Sequence, residues 1–206
     1  MTQPRRPQRR GLAVQERILD AAVRALVEHG YAGTSTLRIQ EMAEVSRGSL
    51  LHQFPSRDAL LVAAVQHLAE ARFNEMSTRT TWPDDPHDRI CAAVLAMWST
   101  YQQDYFWAAT ELWLAARHNT ELRAGLEQQE RVLYRQVRAV TAAMFGEPLN
   151  QHPDYARVRE TLNTSMRGVA LTYAFDRRNA MRDPHIADWV ALAAGVLIES
   201  VQPQRN

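Results

Sequence analysis

The chain has one cysteine, eight glycines and no lysine in 206 residues. A lone cysteine, Cys91, excludes an intramolecular disulfide framework and any multi-cysteine zinc site. The scarcity of glycine leaves no room for phosphate-cradling loops of the Walker or GxGxxG type. Seven histidines are scattered at 29, 52, 67, 87, 118, 152 and 185, with neither HxxxH nor HExxH spacing. No catalytic constellation, metal site or cofactor site is therefore expected, and the sequence reads as a non-enzyme. Apolar runs fall short of the 18 or so residues a membrane helix needs. The basic start, MTQPRRPQRRG, is followed by no apolar segment of a secretory signal. A cytoplasmic protein without membrane contact is the expectation.

Every basic residue other than histidine is arginine, and the distribution is uneven. Residues 1–57 hold nine Arg against five acids, net +4, while the remainder holds 15 Arg against 18 acids, net −3. One end of the molecule thus suits a polyanion.

Helical periodicity runs through nearly the whole chain, and alternating β-branched runs are absent. The fold class expected is all-α: an N-terminal three-helix helix-turn-helix domain and a C-terminal helical bundle, about nine helices in total. Residues 1–11, with two prolines and four arginines, read as a disordered basic arm. Residues 12–57 read as the helix-turn-helix domain, and 58–206 as a second domain. Helix one is expected over 12–29, with Gly30 as its left-handed stop. Ser35 or Thr34 caps helix two (36–43), Ser46 caps helix three (47–53), and Ser56 caps helix four, which runs to about 79. Asp85-Pro86 opens helix five (86–102). Helices six (104–117) and seven (120–145) follow, with Gly146 and Pro148 closing the latter. Helix eight (154–177) and helix nine (184–201, opened by Asp183-Pro184) complete the chain.

The segment from Ile39 to Leu50 carries the functional signal. Ile39, Ala43, Val45 and Leu50 fit the small shared core of two short crossed helices joined by a tight turn. Gly48 and Ser49 keep the start of the second helix slim enough to approach phosphates and base edges. On spacing alone, a plain helical hairpin fits as well.

The stretch RILDAAVRALVEHGYAGTSTLRIQEMAEVSRGSLLHQFPSRDALL resembles the N-terminal domain of the tetracycline-repressor (TetR) family of bacterial transcription regulators. The likeness rests on the ILDAA-type first helix, Gly30-Tyr31, Thr34-Ser35, Ile39, Ala43, Val45-Ser46, Gly48, Leu50 and Phe54-Pro55-Ser56-Arg57. The chain departs from the family pattern at Gln40 (usually Ala), Glu44 (usually Gly), Leu51 (a phosphate-contacting Tyr) and Gln53 (commonly His). Glu44 implies either a less strained turn or an acidic group near DNA.

The resemblance implies a DNA-binding regulator. In the reading favoured here it is a homodimeric repressor, released from a palindromic double-stranded operator by a small-molecule effector. The alternative is a helical ligand-binding or protein-interaction module whose helix-turn-helix no longer binds DNA; Leu51 and Glu44 keep that alternative open. Candidate DNA-binding residues are Ser35, Thr36, Leu37, Arg47, Gly48, Ser49, Leu51, His52, Gln53 and Arg57. Arg47 has a fork that fits guanine O6/N7, or a phosphate; Gln53 fits adenine N6/N7. His52 suits either a base or the backbone. Ser35 and Thr36 can offer hydroxyl and amide groups to a phosphate, and Arg57 occupies the family's phosphate-clamp position.

Six of the 16 aromatic residues crowd into 98–113. Such a band is either core or the wall of a mostly apolar effector cavity. The candidate lining is Trp98, Tyr101, Trp107 and Glu111, with Asn163 and Arg167 as polar partners on helix eight. Leu162, Met166 and Val169 on helix eight and Trp189, Leu192 and Val196 on helix nine are the expected dimer interface; an intramolecular hairpin is the competing explanation.

Overall fold

The structure is a computed structural model and describes residues 6–77, 81–176 and 178–198. Among these, nine α-helices and two short 3-10 turns account for the regular structure, with no strand. The helices are α1 (Arg6–Gly33), α2 (Thr36–Ala43), α3 (Arg47–Gln53), α4 (Arg57–Ser77) and α5 (Pro86–Thr100). They continue with α6 (Asp104–Ala116), α7 (Thr120–Phe145), α8 (Tyr155–Thr172) and α9 (His185–Leu197). No helix of the described residues is long and apolar enough to cross a membrane.

Local chemistry explains the boundaries of the short helices. The Ser35 side chain accepts from the Arg38 amide at 3.1 Å, and Ser46 from the Ser49 amide at 3.2 Å. Ser56 receives the Ala59 amide at 3.1 Å and Asp85 the Asp88 amide at 2.9 Å. Each such cap is worth about 1 kcal/mol.

Helix α1 differs from expectation at both ends. It begins at Arg6, so residues 6–11 of the expected disordered arm are helical; residues 1–5 lie outside the described set. No proline stands between Gln8 and the apolar stripe, so nothing stops the helix from extending back through the arginines. At its other end Gly30 adopts φ 64°, ψ 176°, a region reserved for glycine, and not the left-handed helical stop. Another turn of helix follows the kink. Helix α8 ends at Thr172, short of 177, where the chain turns and Arg178 donates back to the Thr172 hydroxyl at 3.0 Å. The expected extensions of helix four to 79 and helix nine to 201 run into residues outside the described set.

The chain forms two compact units, and the division is not at residue 57. The first gathers residues 1–72 and 104–134, the second 73–103 and 135–206. In the first, α1 packs on α2 and on α6. Its core joins Ile18, Leu26, Ile39, Leu50, Leu60, Leu61, Leu112 and Leu122 to many alanines, among them Ala21, Ala22, Ala25, Ala64, Ala108 and Ala109. In the second, α9 packs on α5 and α8 around Trp98, Phe145, Leu162, Met166 and Trp189.

This burial corrects part of the expected dimer interface. Leu162 and Met166 are fully buried within the chain, and Trp189 nearly so, donating its indole N–H to Ser165 at 2.9 Å. Their apolar stripes face the chain's own core. Val169 and Val196 are half-buried, and Leu192 is exposed.

Candidate nucleic-acid interface

The turn between α2 and α3 spans Glu44 to Ser46. Glu44 takes left-handed geometry (φ 53°, ψ 49°), and the amides of Glu44 and Val45 return to the carbonyls of Glu41 and Gln40, each at 3.2 Å. The left-handed turn is therefore retained although a glycine is missing. The expected relief of strain does not occur, and a non-glycine residue carries the cost.

Helix α3 is anchored by one fully buried side chain, Leu50, and by its Ser46 cap. At 100° per residue its exposed members, Arg47, Leu51, Gly48 and His52, fall in that order over an arc of about 140°. Among the described residues, neither Arg47 nor His52 uses its side chain in a hydrogen bond or ion pair, so both are available to a partner. Ser49 and Gln53 lie off this arc and are half-buried, so the adenine-reading geometry envisaged for Gln53 is not the one presented outward. On α2, Ser35 and Leu37 are exposed and Thr36 half-buried.

Arg57 points elsewhere. Its guanidinium donates to the carbonyls of Thr34 and Tyr31, lies over the Tyr31 ring at 4.1 Å and pairs with Asp58 at 3.6 Å. It closes the α1–α2 connection from beneath, a positioning task that the phosphate-clamp expectation did not include.

The same connection is gripped from α6 and from Asn119, which precedes α7. The kink at Gly30 frees the Tyr31 amide, which donates to Glu111 Oε2 at 2.7 Å. A Cβ on Gly30 would stand 3.0 Å from that carboxylate oxygen. The Tyr31 hydroxyl donates to Asp58 at 2.8 Å, and Asn119 donates to the other Asp58 oxygen at 2.8 Å. Thr34, wholly buried, donates to the Gly30 carbonyl at 2.7 Å. Sequence reasoning found Glu111 as a polar residue in an apolar helix but missed its partner, which is 80 positions away.

The residues expected to line an effector cavity are divided between the units. Trp107 and Glu111 belong to the first; Trp98, Tyr101, Asn163 and Arg167 belong to the second. Trp98 is core: it is fully buried, donates to the Ala180 carbonyl at 2.7 Å, and packs on Trp189, Tyr173 and Tyr101 at 4.9, 5.8 and 6.3 Å between centroids. The Tyr101 hydroxyl donates to Asn163 Oδ1 at 3.0 Å. Burial, against the pull of Arg167, pushes Tyr101 up to about 12, which keeps it a neutral donor. Trp107 is half-buried, edge-on to Phe106 at 5.2 Å.

Comparison with known proteins agrees with this geometry. Residues 18–64 match the family of bacterial regulatory proteins named for tetR. The HTH-type transcriptional regulator HbdR of Aromatoleum sp. (strain CIB) is 30% identical over 152 residues. That match takes in 68% of this chain and 64% of HbdR, so the chain spans less than two thirds of that relative's length. Solved structures share the fold. A TetR-family regulator from Rhodococcus sp. superposes with TM-score 0.65 at 20% identity, covering 90% of this chain and 99% of its own. The regulator FadR of Bacillus subtilis, solved with stearoyl-CoA, gives 0.58 at 15% identity, covering 89% and 97%.

Proposed function

We propose that this chain, a member of the TetR family by its helix-turn-helix domain, binds a palindromic double-stranded operator as a homodimer and is a transcriptional repressor. The observation that carries the reading is the outward arc of α3. A rigidly capped helix offers Arg47 and His52, both uncommitted, at the two rims of one face. An arginine fork at that place matches the O6/N7 pair of guanine in the major groove. Ser35, Thr36 and Leu37 on α2 would flank the phosphate backbone, Gly48 lets α3 approach closely, and Leu51 and His52 complete the reading face, with the half-buried Ser49 and Gln53 behind it. Arg57 contributes by holding the α1–α2 connection.

A twofold operator calls for a twofold protein. The exposed Leu192 and the half-buried Val169 and Val196 are the members of the expected interface that are not fully buried on α8 and α9. Release would come from a mostly apolar small molecule bound in the helical body, as a shift between two conformations with different effector affinity. The stearoyl-CoA held by the similarly folded Bacillus protein supports an apolar ligand. Asn163 and Arg167 are the polar groups proposed to meet it, with Tyr101 of the same unit as an aromatic wall. Regulation without chemistry on a substrate makes the protein a non-enzyme, acting in the cytoplasm where its DNA is.

The test is a binding titration on duplexes enriched by the full chain from a random-sequence pool, beside an unenriched duplex. Arg47→Ala should weaken the enriched duplex by about 1–3 kcal/mol and the unenriched one far less. Equal losses on both would make Arg47 a phosphate contact only.

A further inference from the structure

The middle of the α3 arc is apolar, and this is what the donors at its rims do not explain. Leu51 is 48% exposed and stands between Arg47 and Gly48 on the helix surface. A Cβ added at Gly48 would meet nothing within 4 Å, so packing within the chain does not require glycine there. An exposed leucine alone is ordinary. An exposed leucine beside an unfilled step, at the centre of the one face of a helix held by a single buried residue, is a shaped apolar surface. It is flanked on one side by a guanidinium and on the other by an imidazole.

We infer that Leu51 is a specificity-determining residue whose isobutyl group seats against the C5 methyl of a thymine in the major groove; the inference rests on the DNA-binding reading above. The floor of that groove offers hydrogen-bond acceptors on guanine and thymine, donors and acceptors on adenine, a donor on cytosine, and one apolar feature, the thymine methyl. Leucine against an acceptor or donor would strip water from it without returning a hydrogen bond. Leucine against the methyl removes apolar surface from water on both partners. Gly48 leaves the space into which the neighbouring base edge fits, and Arg47, one turn before Leu51, reaches the adjacent step.

The experiment removes the methyl and nothing else. The strongest duplex enriched by the full chain from a random-sequence pool is remade with deoxyuridine in place of each thymidine in turn. For the native chain, a single replacement at one thymidine position of either half-site should weaken binding about four-fold, the value of one buried methyl-sized group. Leu51→Ala changes both protomers, so it should bind the thymidine duplex more weakly by about the square of that factor, and no longer distinguish thymidine from deoxyuridine at that position. Leu51→Met, which keeps an apolar side chain, should retain part of the discrimination. Enrichment of a duplex in which no uridine replacement matters, or full discrimination persisting in Leu51→Ala, would overturn the assignment of Leu51 and leave DNA binding standing. Failure to enrich any duplex would overturn both.

Discussion

The two units are held together by different chemistry. In the first, eight of the 21 described core residues are alanine and the rest mainly leucine and isoleucine, and the decisive contacts are hydrogen bonds from Arg57 and to Glu111 that seize main-chain atoms of Tyr31 and Thr34. In the second, volume dominates: Trp98, Trp189, Tyr101 and Tyr173 share one aromatic cluster, with Met97, Met144 and Met166 buried in the same unit. Alanine-lined helices approach closely and leave little latitude, and main-chain hydrogen bonds fix orientation as well as distance. Large aromatics and methionines fill irregular space and repack at modest cost. Under the proposed function, the first unit would suit a reading head that needs fixed geometry and the second a body whose adaptable packing answers to a ligand.

The largest effect expected is in the aromatic unit. Trp98→Ala should cost about 3–5 kcal/mol, read as a lower urea midpoint by circular dichroism, with exchange protection lost first in α5 and α9. A smaller loss would show that the cluster closes over the gap. Next comes Gly30→Ala in the first unit. Its positive φ and the carboxylate 3.0 Å away should together cost about 1–3 kcal/mol. Exchange measurements should place that loss in α1 and α2, and a loss spread evenly over all helices would show that the junction at Gly30 does not act locally.

A pH titration sharpens the contrast further. Asp183, buried in the second unit, accepts from the Tyr173 hydroxyl at 2.7 Å and from the His185 amide and ring at 3.0 and 2.7 Å. Burial pushes its carboxyl up, but these bonds and the nearby Arg178 outweigh burial and hold it below its ordinary value. A depressed carboxylate stabilises the fold above its unfolded value, and that contribution disappears as pH falls through the folded one. Native and Asp183→Asn proteins should therefore differ in urea midpoint at neutral pH and converge under acid conditions below the usual carboxylate range. A constant difference down to that range would assign the effect to shape. The smallest effect is a gain: Glu44→Gly relieves the left-handed turn and should stabilise by up to about 1 kcal/mol in the same assay.

The short helices were legible because their signals are local. Ser35, Ser46, Ser56 and Asp85 each cap a helix within three residues, and the α2 and α3 boundaries follow from them. The outward arc of α3 was legible in part: Arg47 and His52 are presented to solvent, while Gln53 is turned aside by a rotation that residue type does not reveal. The inward turn of Arg57 was not legible, because its acceptors are carbonyls, which every residue carries. Leu162, Met166 and Trp189 show a different limit. An apolar stripe announces that a helix buries one face and is silent on whether the cover is its own chain or a copy.

The bond between Glu111 and the Tyr31 amide has a consequence for how the sequence can drift. The donor is main chain, so the bond is indifferent to the identity of the side chain at position 31: of the twenty amino acids, only proline lacks the N–H it uses. The aromatic ring at that position can be exchanged by mutation, at the expense of its own contacts with Asp58 and Arg57, while the tie from α6 persists. The acceptor has no such freedom. Variation at this junction should accordingly accumulate on the side of residue 31 and be resisted at residue 111.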